Sequence, residues 1–150
     1  MRVAIGSDHA GFVLKSLLCR MLEEMEVEYR DYGTDSTDAV DYPDVIAPVA
    51  RAVARGEYDR GIVLGGSGTG EAIVANKIRG IRCVQAASPE VARLGREHND
   101  ANVLAMGARV TTVEVAEACV RAFLAAQFEG GRHVRRVAKI AALEAEEKGR

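Results

Sequence analysis

The residues best able to do acid–base or anion chemistry fall in a few short stretches. These are Gly6-Ser7-Asp8-His9-Ala10-Gly11, Gly65-Gly66-Ser67-Gly68-Thr69-Gly70-Glu71, Arg96-Glu97-His98-Asn99-Asp100-Ala101-Asn102, which reads as a loop, and Gly107-Ala108-Arg109. The loop from Gly65 to Gly70 is the strongest signal, because its glycines let the backbone approach an anion and turn N–H groups inward. It is not a nucleotide phosphate loop. Gly65 and Gly70 have the end spacing, but Glu71 and Ala72 stand where Lys and Ser/Thr are required, and a carboxylate there repels a polyphosphate. Nor does it fit the dinucleotide pattern G-x-G-x-x-G. A glycine nest followed by a carboxylate suits enolisation: Glu71 removes a carbon-bound proton beside a carbonyl, and main-chain N–H groups of the loop hold the enediolate. Such an anion hole contributes roughly 3–4 kcal/mol per donor. Burial pulls the Glu71 pKa up and a helix N-terminus pulls it down, and the sequence leaves that contest open. A second reading of Glu71, as an acidic first-turn residue with no chemistry, stands beside this one.

The other candidates carry similar pairs of readings. His9 and His98 are two of three histidines and flank Asp8 and Asn99, so each is either a functional or a structural imidazole. His133 follows Arg132 and reads as solvated. Arg132 and Arg136 are four residues apart, on one helical face, where two guanidiniums suit a phosphate; Arg109 is a third candidate, and a solvated basic face is the alternative. Arg135 and Lys139 read as that solvated face. Cys19, Cys83 and Cys119 are odd in number and far apart, which fits neither a disulfide framework nor a zinc pattern; they read as buried reduced thiols.

These residues need elements to hold them. Val3–Ile5, Val27–Tyr32, Gly61–Leu64, Arg82–Ala86 and Asn102–Met106 read as strands. Apolar residues at three- and four-residue spacing predict helices after each: through Leu14–Met25, through Val45–Val53 with Pro43 in the first turn, from Gly70 to Ile78, after Ser88-Pro89-Glu90, and from Thr112 through Phe123. Gly130-Gly131 breaks the chain before a last helix at about 131–148. Alternating strand and helix predicts one α/β domain over 1–150, a parallel sheet with helices on both faces, and a site at the carboxyl ends of the strands. The last helix has no strand to return to and is expected to pack on a partner subunit.

Composition narrows the field. The chain has 150 residues, 48% of them hydrophobic, and a formal net charge of −2. Bulk electrostatics therefore favour neither nucleic acid nor membrane as partner. The N-terminus runs straight into a strand pattern without a signal peptide, and no apolar run approaches roughly 18 residues. A cytoplasmic chain is expected.

Taken together, the segments resemble the type B ribose-5-phosphate isomerases and their galactose-6-phosphate and allose-6-phosphate relatives. The matching pieces are the three glycine-bearing stretches above, Asp41-Tyr42-Pro43, Ala75-Asn76-Lys77, His98-Asn99-Asp100-Ala101-Asn102-Val103, and Arg132-His133 with Arg136. The resemblance implies a three-layer α/β/α Rossmann-like sandwich with strand order 2-1-3-5-4. It implies a homodimer, sometimes paired into a tetramer, whose sites are shared across the interface, and no metal or cofactor. Carried over, His98 opens the furanose ring, Asp8 assists at the anomeric hydroxyl, Glu71 shuttles a proton between C2 and C1, and Ser67 helps move the hydroxyl proton. His9, Arg109, Arg132 and Arg136 hold the phosphate; Asn99 and Tyr42 touch sugar hydroxyls. The implied substrates are ribose 5-phosphate and ribulose 5-phosphate of the pentose phosphate pathway, with tetrulose 4-phosphate, allose 6-phosphate or galactose 6-phosphate as alternatives; the remote rival, from another class, is a non-catalytic nucleotide-binding module on a similar α/β fold. Many members carry a cysteine base at the start of the glycine loop. Here that position is Gly65, matching the branch with a glutamate at the loop's end.

Overall fold

The computed structural model describes residues 1–147. The elements are β1 (Arg2–Ser7), α1 (Phe12–Glu24), β2 (Glu28–Asp31), α2 (Tyr42–Ala54), β3 (Arg60–Gly65), α3 (Thr69–Asn76), β4 (Cys83–Gln85), α4 (Pro89–Asn99), β5 (Val103–Gly107), α5 (Val113–Ala125) and α6 (Arg132–Glu147). The five strands form one parallel sheet in the order β2-β1-β3-β5-β4.

The layering follows from side-chain alternation along the central strands. Val3, Ile5, Ile62, Leu64, Leu104 and Met106 face one way and pack with α1, α4 and α5 through Leu18, Leu22, Ala92, Val120 and Phe123. Ala4, Val63, Val103 and Ala105 face the other way and pack with α2 and α3 through Ile46, Val49, Val53 and Ala75. Two-sided burial explains why these strands read as unbroken apolar runs.

Helix starts obey local chemistry. Ser88 caps α4 and Thr112 caps α5, each hydroxyl accepting an N–H of the first turn, while Pro43 and Pro89 sit where a missing N–H costs nothing. Two sequence expectations are corrected. Arg96 to Asn99 are not a loop but the last turn of α4, which ends at Asp100 in the left-handed conformation (φ 49°). That helix was hard to see because its buried face is small: Ala92, Gly95 and the stem of Arg96. A methyl at Gly95 would meet Val84 at 2.8 Å. The fourth strand is also shorter than expected, Cys83 to Gln85 rather than Arg82 to Ala86.

The last helix, α6, packs against α4 and reaches the turn between α3 and β4, where the Glu144 carboxylate accepts the Gly80 N–H at 3.1 Å. Among its described residues only His133 is buried, while Val134, Ile140 and Leu143 are exposed. Lys148, the expected end of this helix, lies outside the described residues. No helix among the described residues is long and apolar enough to cross a membrane.

Candidate active site

The carboxyl edge of the sheet is shaped by the glycine loop. Main-chain bonds from Ala108 N–H to the Gly65 carbonyl (2.8 Å) and from Arg109 N–H to the Gly66 carbonyl (2.9 Å) fasten it to the end of β5. The contact is too close for side chains: a methyl at Gly107 would come within 2.3 Å of Ser67 main chain, and one at Gly68, which has φ 82°, within 2.8 Å of Met106. The Gln85 side-chain amide donates to the Ser67 carbonyl (2.9 Å) and to Thr69 Oγ1 (3.0 Å), holding the loop from β4. Ser67 Oγ accepts the Thr69 N–H at 3.2 Å.

Glu71 enters this frame from the first turn of α3 and is 3% exposed. Its carboxylate folds back over the start of the loop. A methyl built on Gly65 would lie 1.9 Å from Glu71 Oε1, so glycine at 65 is what makes room for the carboxylate. Burial raises its pKa and Asp8 adds to the rise, while the N–H groups of Glu71 and Gly68 pull it back; the rise wins. The contest left open by the sequence is therefore decided by desolvation.

Asp8, 7% exposed, accepts the Gly11 N–H at 3.1 Å, and Gly11 passes so close to the Leu64 main chain that no side chain fits there. His9 Nδ1 accepts the Val40 N–H at 3.2 Å, which leaves Nε2 for another partner. The Tyr42 ring stands over Gly70, where a methyl would be 2.8 Å from it, and the Arg109 guanidinium lies over Gly66. Asp8, Tyr42, Gly66, Ser67, Gly70, Glu71, Arg109 and Val110 line a cleft of about 460 Å³. Thr69 faces a neighbouring depression instead.

The remaining expected residues do not converge on this cleft. His98 and Asn99 end α4, which leads into the start of β5, and Gly61 N–H bonds the Asn102 carbonyl at the start of β3. They lie at the amino edge, and β3 alone, with six residues, spans about 20 Å between the two edges. The motif around them divides its labour. Asp100 takes Arg82 (3.0 Å) and Arg96 (2.8 Å), and Asn102 bonds Arg82 N–H and the Gly80 carbonyl, so these two shape the turn. His98 is left half-exposed and Asn99 exposed.

Beside them begins α6. The Glu129 N–H bonds the Glu97 carbonyl (3.0 Å), bringing exposed Arg132 and Arg136 next to α4. His133 is not solvated, contrary to the sequence expectation. It is 5% exposed, its ring stacks on His98 with centroids 4.3 Å apart, and its Nε2 has no hydrogen-bond partner. Burial pushes its pKa down, with His98 and Arg132 pushing the same way. Glu129 Oε2 lies 3.8 Å from His98 Nε2 and 3.7 Å from His133 Nε2, and this is the one group among the described residues with a metal-ligand arrangement. The sequence signal for His133 was present but thin: it is four residues beyond Glu129 and adjoins a basic pair.

The ribose/galactose isomerase family model matches residues 3–140. The chain belongs to the ribose/galactose isomerase family. Ribose-5-phosphate isomerase B of Escherichia coli (strain K12) is 50% identical over 143 residues, 95% of this chain and 96% of that protein. Among solved structures of the family, ribose-5-phosphate isomerase B of Clostridium thermocellum superposes with a TM-score of 0.96 at 46% identity, covering 98% of this chain and 99% of that one. Ribose-5-phosphate isomerase B of Mycoplasma genitalium, solved with bound ribulose-5-phosphate, superposes with a TM-score of 0.93 at 38% identity over 97% of each chain. This member of the family thus carries most of its expected residues at the carboxyl edge of its sheet and four, His98, Asn99, Arg132 and Arg136, at the amino edge.

Proposed function

We propose that this enzyme interconverts D-ribose 5-phosphate and D-ribulose 5-phosphate through an enediolate, with Glu71 as the proton carrier. The observation that carries the reading is the Glu71 carboxylate, buried at the mouth of a sugar-sized cleft and seated inside a glycine turn. In the open-chain aldose, Glu71 takes the proton from C2. The C2 electron pair forms the C1–C2 double bond, and negative charge passes to O1. Glu71 then returns the proton to C1, while a proton moves from O2 to O1 beside Ser67, leaving the ketone at C2. Gly66, Ser67 and Gly70 wall the cleft; the Gly68 and Glu71 N–H groups serve the Glu71 carboxylate and that of Thr69 serves Ser67, so the N–H groups of Gly66 and Gly70 are the donors assigned to the enediolate oxygens. A buried carboxylate is a stronger base than a solvated one, which suits a weak carbon acid.

Asp8 reaches the same cleft and assists at the anomeric hydroxyl. Arg109 and His9 meet the substrate's anionic end, and Tyr42 covers the sugar. Ring opening by His98, contact by Asn99 and phosphate capture by Arg132 and Arg136 require a second copy, whose amino edge faces the first copy's cleft. Support for that homodimer comes from the about 20 Å between the two edges and from the exposed Val134, Ile140 and Leu143 of α6. This chemistry is that of a cytoplasmic sugar-phosphate pathway. The test is aldose–ketose exchange on four-, five- and six-carbon sugar phosphates. Ribose 5-phosphate should turn over fastest; a four- or six-carbon substrate preferred at least tenfold would sink the assignment.

A further inference from the structure

The cluster at the amino edge has a chemistry that the isomerase reading leaves unused. His98, Glu129 and His133 offer two imidazole nitrogens and one carboxylate, with all three donor atoms within 4.8 Å of one another. Two histidines and a carboxylate with an open fourth position are a known donor set for zinc. In a tetrahedral site with bonds near 2.0–2.2 Å, donor atoms sit about 3.4 Å apart. The 3.7 and 3.8 Å separations from Glu129 are already close to that. Both Nε2 atoms face the same carboxylate, so closing the site takes a rotation of the half-exposed His98 ring out of its stack.

A second, independent observation points to a ligand. His133 is 5% exposed, yet its Nε2 has no partner. A buried polar atom left unsatisfied normally has an ion or water to meet it. The neighbouring Arg132 and Arg136 oppose any cation and bias His133 toward the neutral form that a metal requires. The same arginines keep the site from being a tight structural one. Nitrogen donors select zinc, nickel or copper over magnesium and calcium.

We propose that His98, Glu129 and His133 form a reversible Zn²⁺-class site whose occupation silences the isomerase. The inference rests on the ring-opening role given to His98. A metal on Nε2 takes the lone pair that would carry the proton to the ring oxygen, and it tethers the imidazole to Glu129. Glu129 itself has no part in the isomerase chemistry.

The test uses the full chain washed with EDTA and titrated with ZnCl₂, read by calorimetry and by turnover in the same series. One Zn²⁺ should bind per chain, turnover should fall as the site fills, and EDTA should restore it. Glu129→Ala, assayed in EDTA, should keep the parent's turnover while binding Zn²⁺ at least tenfold more weakly, with inhibition weakened to match. Glu129→Gln gives the same comparison if the alanine variant melts early. No binding heat, an affinity unchanged by both variants, an equal response to MgCl₂, or Zn²⁺ binding that leaves turnover intact would each overturn the proposal. If the chain were inert toward every sugar phosphate, the isomerase reading would fall on that account, while the zinc heats would still decide the metal site.

Discussion

The two edges of the sheet differ in how they are finished. At the carboxyl edge the loop and the base are braced: the glycine loop is tied to β5 by main-chain bonds, to β4 by Gln85, and Glu71 is packed against Gly65. At the amino edge the turn is braced by Asp100 and Asn102, but His98 is half-exposed, Arg132 and Arg136 are exposed, and His133 has an idle nitrogen. The first edge is preorganised for a reaction. The second is organised to be met by something else. A single chain thus holds two half-sites facing opposite ways, which makes a two-fold partner a chemical requirement of the proposed reaction.

The largest expected effect breaks the braced edge. Glu71→Gln should lower turnover by about 10²–10⁴-fold, the usual weight of a general base, with sugar-phosphate binding retained. Because the folded protein holds the Glu71 proton to higher pH than the unfolded chain does, stability falls as pH rises from the ordinary carboxylate value through the raised one. The Gln variant should therefore melt higher than the parent at neutral pH. In the parent, the acid limb of kcat should lie above the ordinary carboxylate range; a limb at the ordinary value counts against Glu71 as base.

Gly65→Ala comes next. Its methyl and the Glu71 carboxylate cannot share one place, so turnover should be lost together with about 1–3 kcal/mol of stability, read by denaturant melts. Complementation then tests the pairing of the two edges. Glu71→Gln and His98→Asn, each inactive, should recover up to about one quarter of parental activity when unfolded and refolded together, since random mixing of a two-fold dimer rebuilds one site in every heterodimer. No recovery would mean that the edges do not meet. A smaller effect is expected at the brace: Gln85→Leu should lower kcat roughly three- to tenfold with KM little changed, the weight of one or two hydrogen bonds.

The smallest expected effect is none. Burial pushes Cys83 up to about 12, Cys19 up to about 11, and Cys119 upward, so none offers a thiolate near neutral pH. A thiol alkylator should leave turnover intact, and inactivation traced to a modified cysteine would argue for a different base.

The same contrast explains what was legible in the sequence. The strands Ile62–Leu64 and Val103–Met106 are buried on both faces, so apolar runs announced them, and the glycine loop was legible because anion chemistry and close packing both demand glycine. The place of Glu71 beside that loop was legible on the same logic. The amino edge was misread for physical reasons. The last turn of α4 buries small residues and an arginine stem, so no apolar period marked Arg96–Asn99 as helix. His133 lies among Arg132, Arg135 and Arg136, and the ring that buries it, His98, is far away in sequence. A tertiary stack between two polar helices leaves no local pattern.

The seat of Glu71 on Gly65 has one more consequence. The turn has space for a single base: either a side chain growing from its first residue or a carboxylate arriving from its far end. Exchanging one chemistry for the other is therefore not a one-step change. A cysteine introduced at 65 alone would evict the carboxylate, and removing Glu71 alone would leave a hollow with nothing to accept a proton.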